Sequence, residues 1–147
     1  MMFTSVQARA ASAYRRTSVD SANPYQVVGL LFDGLMQSLS LASSAIHTGD
    51  VARKGEEISK SVRLLEEGLK LGLDLERGGE LAANLKLIYD YSIQRLTYAN
   101  LRNDRAALEE VMRLIAPVAD GWRRMPPPAS TPQAAAAGGA AVYALEA

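Results

Sequence analysis

Four segments of the chain carry apolar residues three or four positions apart, and each segment is bounded by residues that cap or break helices. This spacing places the apolar side chains on one side of an α-helix. The sequence therefore predicts helices over residues 24–47, 51–75, 80–100 and 105–125. Because only short turns join them, we expect an all-α fold, an antiparallel up-down four-helix bundle.

The first two helix boundaries are marked by residues that satisfy free backbone groups. Asn23 can cap the first helix with its side chain, and Pro24 at the first helical position needs no amide partner. Gly49 can end that helix, and Asp50 can cap the next one. The adjacent glycines at 78–79 are predicted to form the turn between the second and third helices, because glycine is costly inside a helix.

The fourth helix has a start signal and an internal obstacle. Asn103 or Asp104 can cap its first turn. Pro117 lies inside it and lacks the amide that would donate to the carbonyl of Arg113. We therefore expect a kink or a local break at this proline.

The chain divides into three regions by composition. Residues 1–22 are polar and rich in alanine, which predicts a short N-terminal helix or arm. Residues 23–125 form the bundle. Residues 126–147 are rich in alanine, proline and glycine, which predicts a low-complexity, disordered tail.

Each predicted helix has one apolar stripe for the bundle core. The stripe extends from Val28 to Ile46 in the first helix, from Val51 to Leu69 in the second, from Leu81 to Ala99 in the third and from Leu108 to Met125 in the fourth.

The first three helices also carry a second apolar set, turned by about 80–140° from the core stripe at roughly 100° per residue. The set, here called the candidate groove residues, is Val27, Leu30, Gly34, Leu41, Leu64, Gly68, Leu71, Leu75, Leu87, Tyr91 and Tyr98.

Two interpretations of the candidate groove residues are open. They widen the core or are ordinary surface leucines, or they form a hydrophobic groove for an amphipathic helix or an apolar segment of another chain. Gly34 and Gly68 favour the groove, because a missing side chain allows another backbone to approach closely. A weak homodimer is a further use of the same surface.

The composition of the chain argues against nucleic-acid binding, metal binding and enzyme activity. The chain has 16 basic and 16 acidic residues and no cysteine, so we expect neither a nucleic-acid surface nor a thiolate site. His47 is the only histidine, and no nucleophile or phosphate-binding motif is present. The longest apolar run is too short to span a bilayer. We expect no enzyme activity, no metal, no cofactor and no membrane insertion, in a cytoplasmic protein.

Four stretches resemble one family. They are "NPYQVVGLLFDG", "HTGDVARKGEEISKSV", "GLDLERGGELAANLKLIYDYSIQRLTYANLRND" and "ALEEVMRLIAPVADGW". In this order and spacing they are similar to the flagellar secretion chaperone FliS family, over residues 13–126. The Ala/Pro-rich tail lies outside the resemblance.

The resemblance implies a function. Members of the family bind the disordered C-terminal region of flagellin on hydrophobic surfaces of a helical bundle, prevent its premature polymerisation and assist its delivery to the flagellar type III export apparatus. It also implies an N-terminal arm that lies over part of this surface and docks on an export-gate protein. Ala13-Tyr14 matches the family's pair in that arm, so Tyr14 is the candidate arm residue.

Overall fold

The computed structural model describes residues 23–125 and 142–143. In this part of the chain, four helices follow one another. They are α1 (Pro24–Thr48), α2 (Val51–Arg63), which continues as a π-helical segment (Leu64–Lys70), α3 (Leu75–Arg102) and α4 (Arg105–Arg124). The predicted all-α bundle is confirmed. The predicted arm at 1–22 lies outside the described residues, as does most of the predicted tail.

The helices form a closed ring around one core. α1 packs beside α2 and α4, and α3 packs beside the same two helices. Since turns of two to four residues join successive helices, neighbours run antiparallel. The largest fully buried side chains are Tyr89, Phe32, Leu35, Leu39, Ile58, Leu65, Leu69, Leu96, Leu108, Ile115 and Val111.

The predictions for the caps of α1 and for the start of α2 are confirmed. The Asn23 side chain accepts a hydrogen bond from the backbone N–H of Gln26 at 3.3 Å. Gly49 ends α1 in the left-handed conformation at φ 78°, which glycine adopts without steric cost. The side chain of Asp50 then accepts from the N–H of Arg53 at 3.1 Å and begins α2.

At the α3–α4 turn, both residues proposed as caps have a role. Asn103 ends α3 at φ 53°, and Asp104 caps α4 by accepting from the N–H of Ala107. Of the kink or local break expected at Pro117, the break does not occur, because α4 continues through the proline to Arg124. Pro117 lies on the exposed side of α4, where water can reach the carbonyl that the proline leaves without its helical donor.

The turn between α2 and α3 lies earlier than predicted. It is formed by the residues just before Leu75, and Asp74 caps α3 by accepting from the N–H of Arg77 at 3.0 Å. Leu75 therefore begins the third helix instead of ending the second. Gly79 has φ 53° and ψ −130°, which kinks α3 within its first two turns. The prediction that the glycine pair forms the whole turn is wrong, because the Asp74 cap begins a single helical turn before it. The predicted interruption at the pair is confirmed, since the helix breaks at Gly79 and resumes at Glu80, the predicted start of the third helix.

The second half of the second helix is π-helical. The N–H of Leu71 donates to the carbonyl of Glu66, five residues back, at 3.2 Å. Each π turn takes one residue more than an α turn, so the side chains after Leu64 shift in phase. Leu65 and Leu69 are fully buried, whereas Leu71 is 77% exposed.

Two predicted core residues lie at the surface. Val51, the first residue of α2, is 67% exposed, and Leu81 is 54% exposed. Val51 begins α2, and Leu81 comes just after the kink at Gly79. Neither side chain therefore points toward the core with the rest of its stripe. Conversely, Phe32 and Tyr89 are buried core residues that the stripes did not include.

Helix α1 is the only helix in the described part of the chain that is long and apolar enough to cross a membrane, with a mean hydropathy of 1.3. The core helix of a bundle meets the same criteria. Here Phe32, Leu35 and Leu39 of α1 are buried in the core, and Asp33 pairs with Arg123 of α4 at 2.7 Å. These contacts explain its apolar composition by packing.

A buried lysine joins α2 to the end of α3. Lys54 is 5% exposed, and its Nζ donates to the carbonyl of Asn100 at 3.0 Å and to Oδ1 of Asn103 at 3.1 Å. A cation is favoured here because the carbonyl end of a helix carries partial negative charge. Lys54 thus caps α3 from a neighbouring helix.

Replacing Lys54 by Met should lower the free energy of unfolding by about 1.5–3 kcal/mol, because charge-assisted hydrogen bonds to two acceptors are lost. Urea denaturation followed by circular dichroism measures the change. Lys60→Met, at an exposed position of the same helix, is the matched control and should change stability by less than about 0.5 kcal/mol. Equal stability of the Lys54→Met variant and the parent would show that this cap contributes nothing.

Candidate functional site

The eleven candidate groove residues fall into two groups in the structure. Five are exposed, namely Leu71, Leu75, Leu87, Tyr91 and Tyr98. Six are half-buried, namely Val27, Leu30, Gly34, Leu41, Leu64 and Gly68. The residues of α3 and of the α2–α3 turn therefore provide the accessible apolar surface.

The half-buried group contains the contact between α1 and the π segment. A Cβ on Gly34 would lie 3.6 Å from a methyl of Leu64, and a Cβ on Gly68 would lie 3.1 Å from a methyl of Leu31. The space over both glycines is thus taken by leucines of the same chain. Close packing of α1 against the π segment is a sufficient reason for glycine at position 68, where a Cβ would be crowded, whereas at position 34 a Cβ would make an ordinary contact.

An exposed apolar stripe runs along the outer side of α3. We define the α3 stripe as Leu87, Tyr91, Tyr98 and Leu101, whose exposed fractions lie between 42% and 78%. At about 100° per residue these side chains fall within roughly 40° of the Leu87 direction. The fourteen residue-to-residue steps from Leu87 to Leu101 span about 21 Å at about 1.5 Å per residue.

Leu101 is a member of the stripe that the sequence analysis missed. It is the most exposed large apolar residue in the described part of the chain, at 78%. The signal that identifies it is its spacing of three residues from Tyr98, which continues the same helical side.

Polar contacts hold the two tyrosines of the stripe in place. The Tyr91 hydroxyl donates to Oε2 of Glu110 on α4 at 2.6 Å, and Nε of Arg95 donates to Oε1 of the same carboxylate at 2.8 Å. The Arg95 guanidinium also lies over the ring of Tyr98, with Cζ 4.9 Å from its centroid. The stripe is therefore apolar along its length and polar along the edge that faces α4.

These contacts perturb the carboxylate at their centre. The hydrogen bond from Tyr91, and after it the one from Arg95, holds the pKa of Glu110 below its usual 4.5. The same bond raises the pKa of the Tyr91 hydroxyl. Because the ionised carboxylate makes both contacts, they are intact above pH 4.5 and are lost as the pH falls through the lowered pKa of Glu110.

A second charged group lies beside the stripe toward the π segment. Asp90 lies 2.6 Å from Nζ of Lys70 and 3.1 Å from Nζ of Lys86. The hydrogen bond from Lys70, followed by that from Lys86, holds the pKa of Asp90 below its usual value. This pairing ties α3 to the π segment.

The other exposed candidates, Leu71 and Leu75, lie on the two sides of the α2–α3 turn. Between them, Leu73 forms an isolated antiparallel bridge with Tyr143. Val142 and Tyr143 are both buried. This part of the predicted disordered tail is packed on the bundle, and the other tail residues lie outside the described residues.

The structure offers no group of three metal-ligating side chains in residues 23–125 and 142–143. His47 is exposed and its Nδ1 lies 3.1 Å from Nη1 of Arg105. The arm candidate Tyr14 lies outside the described residues.

Comparison with known proteins identifies a family. Residues 7–129 match the family model described as flagellar protein FliS. The flagellar secretion chaperone FliS of Salmonella typhimurium is 46% identical over 117 residues, which cover 77% of this chain and 87% of that protein. The flagellar secretion chaperones FliS of Escherichia coli and Bacillus subtilis are 39% and 34% identical, over 79% and 77% of this chain and 88% and 83% of those proteins.

Tyr91→Phe should raise the pKa of the Glu110 carboxyl toward 4.5, because it removes the hydrogen bond with the largest effect. A carbon-13 NMR titration of the glutamate carboxyls measures the midpoint. Tyr98→Phe is the matched control, since the contact of Tyr98 with Arg95 is made by its ring. An unchanged Glu110 midpoint in Tyr91→Phe would contradict the proposed geometry of the polar edge.

Proposed function

The chain belongs to the family of flagellar protein FliS, and we propose that it is a cytoplasmic export chaperone that binds the disordered C-terminal region of flagellin. The observation that carries the proposal is the exposed apolar stripe on α3 of a chain from this family. The chaperone prevents premature polymerisation by covering a client segment that would otherwise pair with other flagellin molecules.

The α3 stripe suits a client helix. Leu87 and Tyr91 are four residues apart, and Tyr98 and Leu101 are three apart, so an amphipathic helix laid along α3 would meet apolar side chains over about 21 Å. Glu110 and Arg95 offer an acceptor and a donor along one edge. Such an edge orients a client, while the apolar stripe supplies most of the binding energy.

The energy of burial is adequate for a disordered client. Burying a leucine-sized side chain contributes about 1.5–3 kcal/mol, whereas ordering the client costs about 2–5 kcal/mol or more. A few such contacts along the α3 stripe, together with Leu71 and Leu75 at the turn, are enough to offset that cost. The half-buried candidates Val27, Leu30 and Leu41 would add contact area at the border of the surface.

Delivery of the client requires a second contact. We assign it to the N-terminal arm and Tyr14, which would dock on the export-gate protein of the flagellar type III export apparatus. The same arm would cover part of the apolar surface before a client is bound. This assignment rests on the family resemblance of Ala13-Tyr14.

Leu71→Asp and Leu87→Asp should each weaken binding of a flagellin C-terminal peptide by at least about tenfold while keeping the fold. Each replaces an exposed leucine, so the bundle core is untouched, but the contact and its burial are lost and a charge must be desolvated. Isothermal titration calorimetry measures the affinity, and circular dichroism verifies the helical content.

Val51→Asp is the matched control, because Val51 is as exposed as Leu87, at 67%, and lies outside the candidate groove residues. It should bind like the parent. If Leu71→Asp and Leu87→Asp also bind like the parent, the groove has been assigned to the wrong surface. A dimer that persists in light scattering and ignores the peptide would instead favour a homodimer interface.

A further inference from the structure

A short piece of the C-terminal tail is seated on the bundle. Residues 126–141, sixteen positions, separate the end of the described bundle from Val142 and Tyr143, yet both are only 3% exposed. The N–H of Asp74 donates to the carbonyl of Val142 at 2.7 Å, and Leu73 and Tyr143 form an antiparallel bridge. Val142 and Tyr143 thus pair with the backbone of the α2–α3 turn through one hydrogen bond and one bridge, the kind of main-chain pairing that a bound peptide makes with a free strand edge.

The Tyr143 side chain fills a pocket between three elements. Its ring meets Trp122 edge-on, with centroids 5.3 Å apart at 86°. Gly72 lies beside the ring, because a Cβ on it would be 3.6 Å from Cδ1 of Tyr143, an ordinary van der Waals distance. The Tyr143 hydroxyl forms a hydrogen bond with the hydroxyl of Tyr89.

The walls of this pocket are held independently of the tail. Trp122 stacks on Tyr25 with centroids 4.8 Å apart, and its Nε1 donates to the Tyr25 carbonyl at 3.2 Å. Tyr89 lies within α3, and burial raises the pKa of its hydroxyl to about 12, so it stays neutral and able to hydrogen bond. Loss of Tyr143 would therefore leave a formed slot that has an aromatic wall and a hydroxyl group.

The pocket lies in the part of the chain that matches the family model, whereas the tail residue that fills it lies outside that part. Gly72, Leu73, Tyr89 and Trp122 lie inside residues 7–129, which match the family model, whereas Val142 and Tyr143 lie beyond them. Gly72, Leu73 and Asp74, which contact the tail, lie in the chain between Leu71 and Leu75, two exposed residues of the proposed client surface. A client segment that follows this surface would reach the site that the tail fills.

We infer that the Tyr143 pocket is a peptide-binding site for an extended segment carrying an aromatic side chain, filled in cis by the tail, which a client must displace. A tethered occupant lowers the apparent affinity for any competitor by the fraction of molecules in which the site is vacant. The competition with a client rests on the proposed function, but occupation of the pocket by a peptide does not.

The pocket is tested with the full-length Tyr143→Ala variant and a synthetic peptide of residues 138–147, GGAAVYALEA. Trp122 is the only tryptophan of the chain, so its fluorescence reports on the pocket. The peptide should bind the variant saturably and the parent at least about tenfold more weakly. A peptide with alanine in place of its tyrosine should not bind.

Two results would overturn the inference. One is absence of peptide binding by a Tyr143→Ala variant that keeps its helical circular dichroism. The other is loss of that helical signal in the variant, which would make Tyr143 a permanent part of the core. Tyr143→Phe, which keeps the ring and removes the hydroxyl, should admit the peptide to an intermediate degree.

The competition is tested with a flagellin C-terminal peptide and the same variants. Tyr143→Ala should bind it at least about threefold more tightly than the parent, and equal or weaker binding would overturn the competition. If the flagellin peptide binds neither protein, the proposed function fails, whereas the result with GGAAVYALEA still decides the pocket.

Discussion

The packing of Trp122 closes one end of the bundle, and the surfaces described above depend on it. Its ring stacks on Tyr25 at the start of α1 and lies 6.4 Å from Phe32 in the core. The Tyr25 hydroxyl in turn lies 2.6 Å from the Trp122 carbonyl at the end of α4. Because these contacts join the first helix to the last, α4 completes the ring of helices, and α3 can present its outer side to a partner.

The parts of the fold that depend on neighbouring residues were predictable from the sequence. Asn23, Asp50 and Asp104 accept hydrogen bonds from amides three residues away, so their caps are visible in a short window. The α2–α3 turn was misplaced because the π segment ends the second helix at Lys70 and Asp74 caps the next helix at Leu75, both upstream of the glycine pair. Seating of the tail depends on one tyrosine meeting residues 54 and 21 positions away in the chain, which no local pattern indicates.

The part of the candidate surface that lies on α3 could also be predicted, because it depends on the spacing of neighbouring residues along one helix. The periodicity of α3 placed Leu87, Tyr91 and Tyr98 on one side, and all three are exposed. The second set on α1 and α2 obeys the same periodicity, but Gly34, Leu64 and Gly68 lie where the two helices pack together. Angular position along one helix does not tell which neighbour lies opposite, so periodicity alone cannot separate an interface within the bundle from a surface open to another chain.

In the proposed function, the exposed leucines and tyrosines of α3 contact the client directly. Methyl NMR of leucine-labelled, full-length protein, recorded with and without a flagellin C-terminal peptide, tests this most directly. We expect the methyl resonances of Leu87 and Leu101 to shift or broaden on binding, together with those of Leu71 and Leu75. Those of the buried Leu39 and Leu108 should change little. Saturated binding with unchanged signals from Leu87 and Leu101 would contradict it.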